Sequence, residues 1–189
     1  MIVVTGTPRS GTSMIMQTLR LLGIDIVGEA FTKLNLPEHN PKGYWELEND
    51  LMRNGIHHQD YKGKGVKLLG HALDNTPPEN ISKLIYITRN KNYSIKSLVP
   101  CLEDNKPVVF STTLVNINPT RNNAERVWNE AKYLVDAFLA ENQRIPTISF
   151  DYKDWIKDTE NQLKMLVEFL DVKCDYQKAL DNIDTDKRW

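Results

Sequence analysis

The chain has 189 residues, 40% hydrophobic and 26% charged, which places it with soluble globular domains and excludes a disordered, collagenous or coiled-coil chain. Lys and Arg number 24 against 25 Asp and Glu, a formal charge of −1, so the basic excess of a nucleic-acid coat is missing while a local anion site stays compatible. Two cysteines, Cys101 and Cys174, are too few for a disulfide framework or a zinc knuckle and read as reduced thiols. No run approaches the ~20 apolar residues of a membrane span. Met1 leads straight into Ile2-Val3-Val4-Thr5 without a basic and then apolar leader, so the expected location is cytoplasmic.

Taken in chain order, residues 2–5 (IVVT) predict a core strand, and a glycine loop follows at once. From Thr12 the apolar positions Ile15, Leu19 and Leu22 predict a helix, with Gly23 where a left-handed C-terminal cap belongs. Residues 33–65, rich in Pro, Gly, Asn and charge, predict an irregular insertion. Strands are expected at about 66–69 (VKLL) and at 83–88 (KLIYIT), and a weaker fifth at 107–110 lies within a second irregular stretch, 100–120. The clearest amphipathic pattern covers 121–142, with Ala124, Val127, Ala131, Leu134, Val135 and Phe138 on one stripe. A strand over 146–150 precedes a helix from Thr159, where Thr159 and Gln162 have capping-box spacing. The alternation predicts one α/β domain over 1–189: a P-loop-type three-layer sandwich around a mostly parallel sheet of about five strands.

The segment Gly6-Thr7-Pro8-Arg9-Ser10-Gly11-Thr12-Ser13 lies between the first strand and the first helix, the setting of a phosphate loop. Two glycines let backbone N–H groups converge on one concavity, and the helix end adds its dipole and unpaired donors. Ser10, Thr12 and Ser13 bring hydroxyls, and Arg9 brings a permanent forked cation. The nucleotide triphosphatase loop G-x-x-x-x-G-K-[ST] carries a Lys where this chain has Thr12. Without that lysine, ordinary ATP chemistry lacks its main charge on the transferred phosphate. Further along, Arg89 closes the strand KLIYIT, where α/β proteins bind ligands, and Ser97 follows eight residues later.

Together these two motifs resemble the sulfotransferase family, which uses 3′-phosphoadenosine 5′-phosphosulfate (PAPS) as donor. The family's P-[KR]-S-G-T-[ST] loop is met at every position by Pro8-Arg9-Ser10-Gly11-Thr12-Ser13. Its second motif, an Arg ending a strand with Asp or Asn and Pro after it and a Ser eight residues on, is met by Arg89, Asn90 and Ser97, with Lys91 in place of Pro. Asn40-Pro41-Lys42-Gly43-Tyr44-Trp45-Glu46 is similar to a segment of small bacterial members, and Phe150-Asp151-Tyr152 to the family's Tyr-Glu-Asp-Leu strand end. The C-terminal basic, glycine-containing segment of many members has no counterpart before Trp189.

The resemblance implies metal-independent, in-line transfer of a sulfuryl group from PAPS to a hydroxyl or amine. Arg9, Ser10, Gly11, Thr12 and Ser13 would bind the 5′-phosphosulfate, and Arg89 and Ser97 the 3′-phosphate. Lys67 is costly inside an apolar strand unless paired with an anion, and the resemblance places it on the transferring group. Glu29, after the first helix, is the leading base, with His39, Glu46, His57, His58 and His71 as competitors. Residues 33–65 and 100–120 are expected to line an acceptor site for a small molecule, glycan or lipid, with Phe31, Tyr44 and Trp45 as walls. A P-loop small-molecule kinase, with Asp151 as its Mg²⁺ carboxylate, and a non-catalytic nucleotide-binding module are the alternatives.

Overall fold

The computed structural model describes residues 1–30, 43–47, 55–57, 60–103 and 120–183. Among them are four strands, β1 (Ile2–Gly6), β2 (Gly65–Lys67), β3 (Lys83–Thr88) and β4 (Thr147–Asp151), all parallel and ordered β2-β1-β3-β4. The helices are α1 (Thr12–Leu21), α2 (His71–Asp74), α3 (Lys91–Glu103), α4 (Arg121–Glu141), α5 (Tyr152–Lys157), α6 (Thr159–Leu170) and α7 (Tyr176–Asn182). The described sheet thus has four strands where about five were expected, and the candidate at 107–110 lies outside the described residues. β2 also ends earlier than the apolar run VKLL implied. Leu68 N still reaches Val4 O at 3.0 Å, but the chain then turns at Gly70 into α2.

Both faces of the sheet are covered, which is why β1 and β3 read as unbroken apolar runs. Ile2, Val4, Ile85 and Ile87 point to one face, where α1 (Ile15, Leu19), α5 (Trp155) and α6 (Leu163, Leu166) complete a core cluster. Val3, Val66, Leu84 and Tyr86 point to the other, beneath Val135 and Phe138 of α4. α3 packs on α4 through Ile95, Leu98 and Leu102 against Ala124 and Val127. That contact corrects the expected irregular start at residue 100. Pro100 removes one helix donor, yet the buried flanking leucines carry the helix through it to Glu103.

The helix ends follow local chemistry. α1 closes with Gly23 N on Arg20 O and Ile24 N on Leu19 O, both 3.0 Å, with Gly23 at φ 81°. α6 is capped by Asp158, whose carboxylate accepts from Asn161 N, and not by Thr159; the Thr159 hydroxyl turns back to Trp155 O at 2.8 Å. No helix among the described residues is long and apolar enough to cross a membrane.

Trp155 is fully buried and meets Phe150 edge-on, ring centroids 4.9 Å apart, joining α5 to β4. Trp155→Ala is expected to cost about 3–5 kcal/mol. Urea unfolding measures it, and a loss below about 1 kcal/mol would contradict this packing role.

Candidate active site

The chain leaves β1 for β2 on one side of the sheet and returns to β3 on the other, so the C-terminal ends of β1 and β3 flank the point where strand order reverses. Open α/β sheets bind ligands at that crevice. The phosphate-type loop leaves the end of β1 there, and Arg89 leaves the end of β3. The loop is packed tightly from beneath. A methyl group at Gly6 would collide with Ile87 O and Ser10 Oγ, and one at Gly11 (φ 110°) would lie 2.7 Å from the Tyr152 ring. Gly11 begins α1 without a side-chain cap, and its carbonyl takes the Met14 and Ile15 amides at 3.0 and 3.2 Å. The Thr12 and Ser13 amides, at the first helical positions, have no carbonyl one turn back within the helix, and helix-start N–H groups of this kind suit an anion.

Arg9 stands in the left-handed region at φ 64°, uncommon for a non-glycine residue and costing about 1–3 kcal/mol where it persists. Contacts that hold it include the Arg89 Nη1 donation to Arg9 O at 3.1 Å, the Arg9 Nε donation to Ser97 Oγ at 3.0 Å, and the Tyr44 ring under its guanidinium at 5.9 Å. The two motifs, separate in sequence, are therefore hydrogen-bonded to one another. The Arg89 guanidinium lies over the Tyr152 ring at 4.4 Å. Burial lowers its pKa from the ordinary value, Tyr152 opposes this, and the nearby Arg9 charge lowers it further. An anion between the two guanidiniums relieves that repulsion.

Lys67, at the end of β2, is buried. Its ammonium donates to Tyr44 O and to Glu46 Oε1, the latter at 3.1 Å. The paired anion that a buried lysine requires is thus Glu46. Burial lowers the Lys67 pKa, and Glu46 opposes that shift. Burial also pushes the Tyr44 hydroxyl up to about 12, with Arg9 opposing, so Tyr44 stays protonated as part of the wall. Among the described residues, Pro8, Arg9, Gly11, Thr12, Ser13, Met14, Tyr44, Glu46, Lys67, Leu69 and Arg89 line one pocket, with three cations and a single carboxylate.

Of the residues singled out from the sequence, Arg9, Gly11, Thr12, Ser13, Lys67 and Arg89 line this pocket, and Ser97 adjoins it through Arg9. Ser10 does not line it. Its hydroxyl is buried against Gly6, and its amide goes to Thr7 O at 3.1 Å, so it shapes the loop from below. Glu29 is exposed and outside the lining; it forms a backbone bridge with Glu46, which is inside. His71 pairs with Glu130 at 2.9 Å and His57 is exposed, while His39, His58 and Phe31 lie outside the described residues. Asp151 caps α5 through Lys153 N at 2.8 Å and meets the Thr88 hydroxyl at 3.3 Å. Trp45 packs with the core on the α1 side, and Arg20 lies over its indole at 5.3 Å. Leu69 carried no sequence signal for its place here, and Tyr152 entered only through the strand-end resemblance of Phe150-Asp151-Tyr152.

No protein-family model matches the chain, and no curated protein sequence is similar to it. Solved structures do match in shape. Mouse sulfotransferase SULT7A1 complexed with PAP has a TM-score of 0.59 at 16% identity, over 95% of this chain and 60% of that one. Retinol dehydratase in complex with androsterone and inactive cofactor PAP gives 0.55 at 14% identity, over 95% and 62%. Retinol dehydratase in a complex with retinol and PAP gives 0.54 at 14% identity, over the same 95% and 62%. The chain has the fold of the PAPS-dependent sulfotransferases, and it spans about three fifths of the length of the structures it matches.

The buried lysine makes stability depend on pH in a defined direction. Because its folded pKa lies below the ordinary 10.5, the unfolded chain binds more protons between the two values, and stability rises with pH across that window. Denaturant titrations from neutral pH up to 10.5 should show wild type gaining stability relative to Lys67→Met. A constant or shrinking advantage would contradict the buried, paired ammonium.

Proposed function

We propose that the chain is a PAPS-dependent sulfotransferase that moves a sulfuryl group to a hydroxyl or amine acceptor by in-line, metal-independent transfer. One observation carries this reading: Arg9 and Arg89 are hydrogen-bonded into a single unit at the switch point of a sulfotransferase fold, with buried Lys67 lining the same pocket. The residues fit a donor with two anionic ends, since the described lining holds three cations against one carboxylate and lies at the start of α1, where helix N–H groups favour an anion.

In this reading the amides of Gly11, Thr12 and Ser13, with Arg9, hold the 5′-phosphosulfate, and Arg89 and Ser97 hold the 3′-phosphate. Bound there, the donor supplies a sulfuryl group on a phosphate leaving group. Arg9 faces the oxygen on which negative charge grows, where one well-aimed donor contributes about 3–4 kcal/mol. Lys67 neutralises the transferring group from the β2 side. Tyr44, Met14 and Leu69 form the acceptor wall, and residues 33–65 and 100–120 complete a site for a small molecule, glycan or lipid. Cys101 and Cys174 form no disulfide, which supports a reducing, cytoplasmic setting. The kinase alternative is disfavoured by Thr12 in the lysine position and by an Asp151 already engaged as a helix cap.

Arg9→Ala is expected to lower sulfuryl transfer about 10²–10³-fold while circular dichroism and the thermal midpoint stay near wild type. Near-wild-type transfer in that variant would remove Arg9 from the chemistry. ATP binding that requires Mg²⁺, with no binding of 3′-phosphoadenosine 5′-phosphate (PAP), would replace the proposal with the kinase reading.

A further inference from the structure

Building on the sulfotransferase reading, on which it rests, we propose that Glu46 takes the acceptor's proton and that Lys67 holds its carboxylate at the reacting centre. Among the described residues that line the pocket, Glu46 is the one carboxylate, and its side chain is only 13% exposed. Its Oε1 lies 3.1 Å from Lys67 Nζ. A lysine engages a carboxylate through single N–H donors and not a two-pronged fork, so the contact from Lys67 to Oε1 orients the Glu46 carboxylate in the pocket.

The backbone that carries Glu46 is fixed from several directions. Glu29 N donates to Glu46 O at 3.0 Å and Glu46 N to Glu29 O at 3.2 Å. Tyr44 O accepts from Lys67 and, at 3.3 Å, from Ser13 Oγ of the phosphate-type loop. Between them Trp45 stands at φ 55°, held by packing against the α1-side core and Arg20. Non-glycine residues keep such conformations where surrounding contacts over-determine them, and these cluster at functional sites. The segment thus hangs from the loop, from β2 and from the Glu29 bridge, with Glu46 in the pocket and its bridge partner outside. The described histidines do not compete, because neither His57 nor His71 lines the pocket.

Glu46 receives the O–H or N–H proton as the acceptor atom bonds to sulfur. The sulfur–oxygen bond to the donor phosphate breaks, and its electron pair stays on the phosphate oxygen beside Arg9. Protonating Glu46 also removes the counter-charge of Lys67, which leaves the ammonium's full attraction for the transferring anion. The proton then passes from Glu46 to water and resets the pair.

Glu46→Gln keeps a side-chain oxygen that accepts from Lys67 and loses the carboxylate's basicity and charge. With water as the acceptor, sulfate release from PAPS is expected to fall about 10²–10⁴-fold in this variant and to lose the acid-side pH dependence of wild type. Its calorimetric affinity for PAP should not fall below that of wild type, since proton removal is made only during transfer and the lost charge leaves Lys67 free to attract an anion. Sulfate release within about threefold of wild type overturns the proposal, as does a wild type that binds PAP but releases no sulfate; the donor-site reading survives both. A variant that loses PAP affinity and thermal stability together makes Glu46 a structural support of Lys67 and also overturns it. A wild type that does not bind PAP sinks the underlying reading, and this inference with it.

Discussion

The hydrogen bond from the Arg89 guanidinium to the Arg9 carbonyl ties the end of β3 to the loop that follows β1. Arg9 sits in a left-handed conformation that a non-glycine residue does not adopt without support, and this contact is part of that support. Arg89 is in turn held against Tyr152, whose ring also occupies the space a side chain at Gly11 would need. Loop, strand end and α5 therefore set one another's positions, and the Arg9 and Arg89 guanidiniums are positioned by the fold itself. Preorganised donors of this kind act on charge without reorganising at the moment of reaction.

Charge distribution, more than total charge, explains how a chain of net −1 builds a cation-lined pocket. Among the described residues, three cations line one pocket together with the single carboxylate of Glu46. Water is largely excluded from Lys67, so its attraction to Glu46 and to an incoming anion is stronger than between exposed groups. The same burial lowers its pKa, and Glu46 opposes that shift. The pair balances two demands: a lysine stable in the folded protein, and a cation available to a substrate.

The anion loop was legible in the sequence because its ingredients are local. A buried strand, Gly6, Arg9, Gly11, hydroxyls and a helix start follow one another within a few residues, and backbone sterics do the rest. Arg89 and Ser97 were legible as a spaced pair once the strand was recognised. The Lys67–Glu46 pair was not, because its partners are separated by 21 residues and meet only through tertiary packing. Glu29 and Glu46 differ in the same way: their backbones are bridged, and only the folded chain shows which side chain faces the pocket. α3 was obscured by Pro100, a local breaker overridden by leucines buried against α4. The Thr159 capping signal failed because Asp158, one residue earlier, offers a carboxylate to the same helix end.

The central claim is that Arg89 serves a 3′-phosphate while bracing the loop that serves the 5′ end. Calorimetric titration of wild type and Arg89→Ala with PAP and with adenosine 5′-phosphate, in the presence of a chelator, tests it most directly. Wild type should strongly prefer PAP, and Arg89→Ala should lose most of that preference while binding adenosine 5′-phosphate more weakly to a smaller degree. Equal losses for the two nucleotides, or no loss for either, would contradict the account.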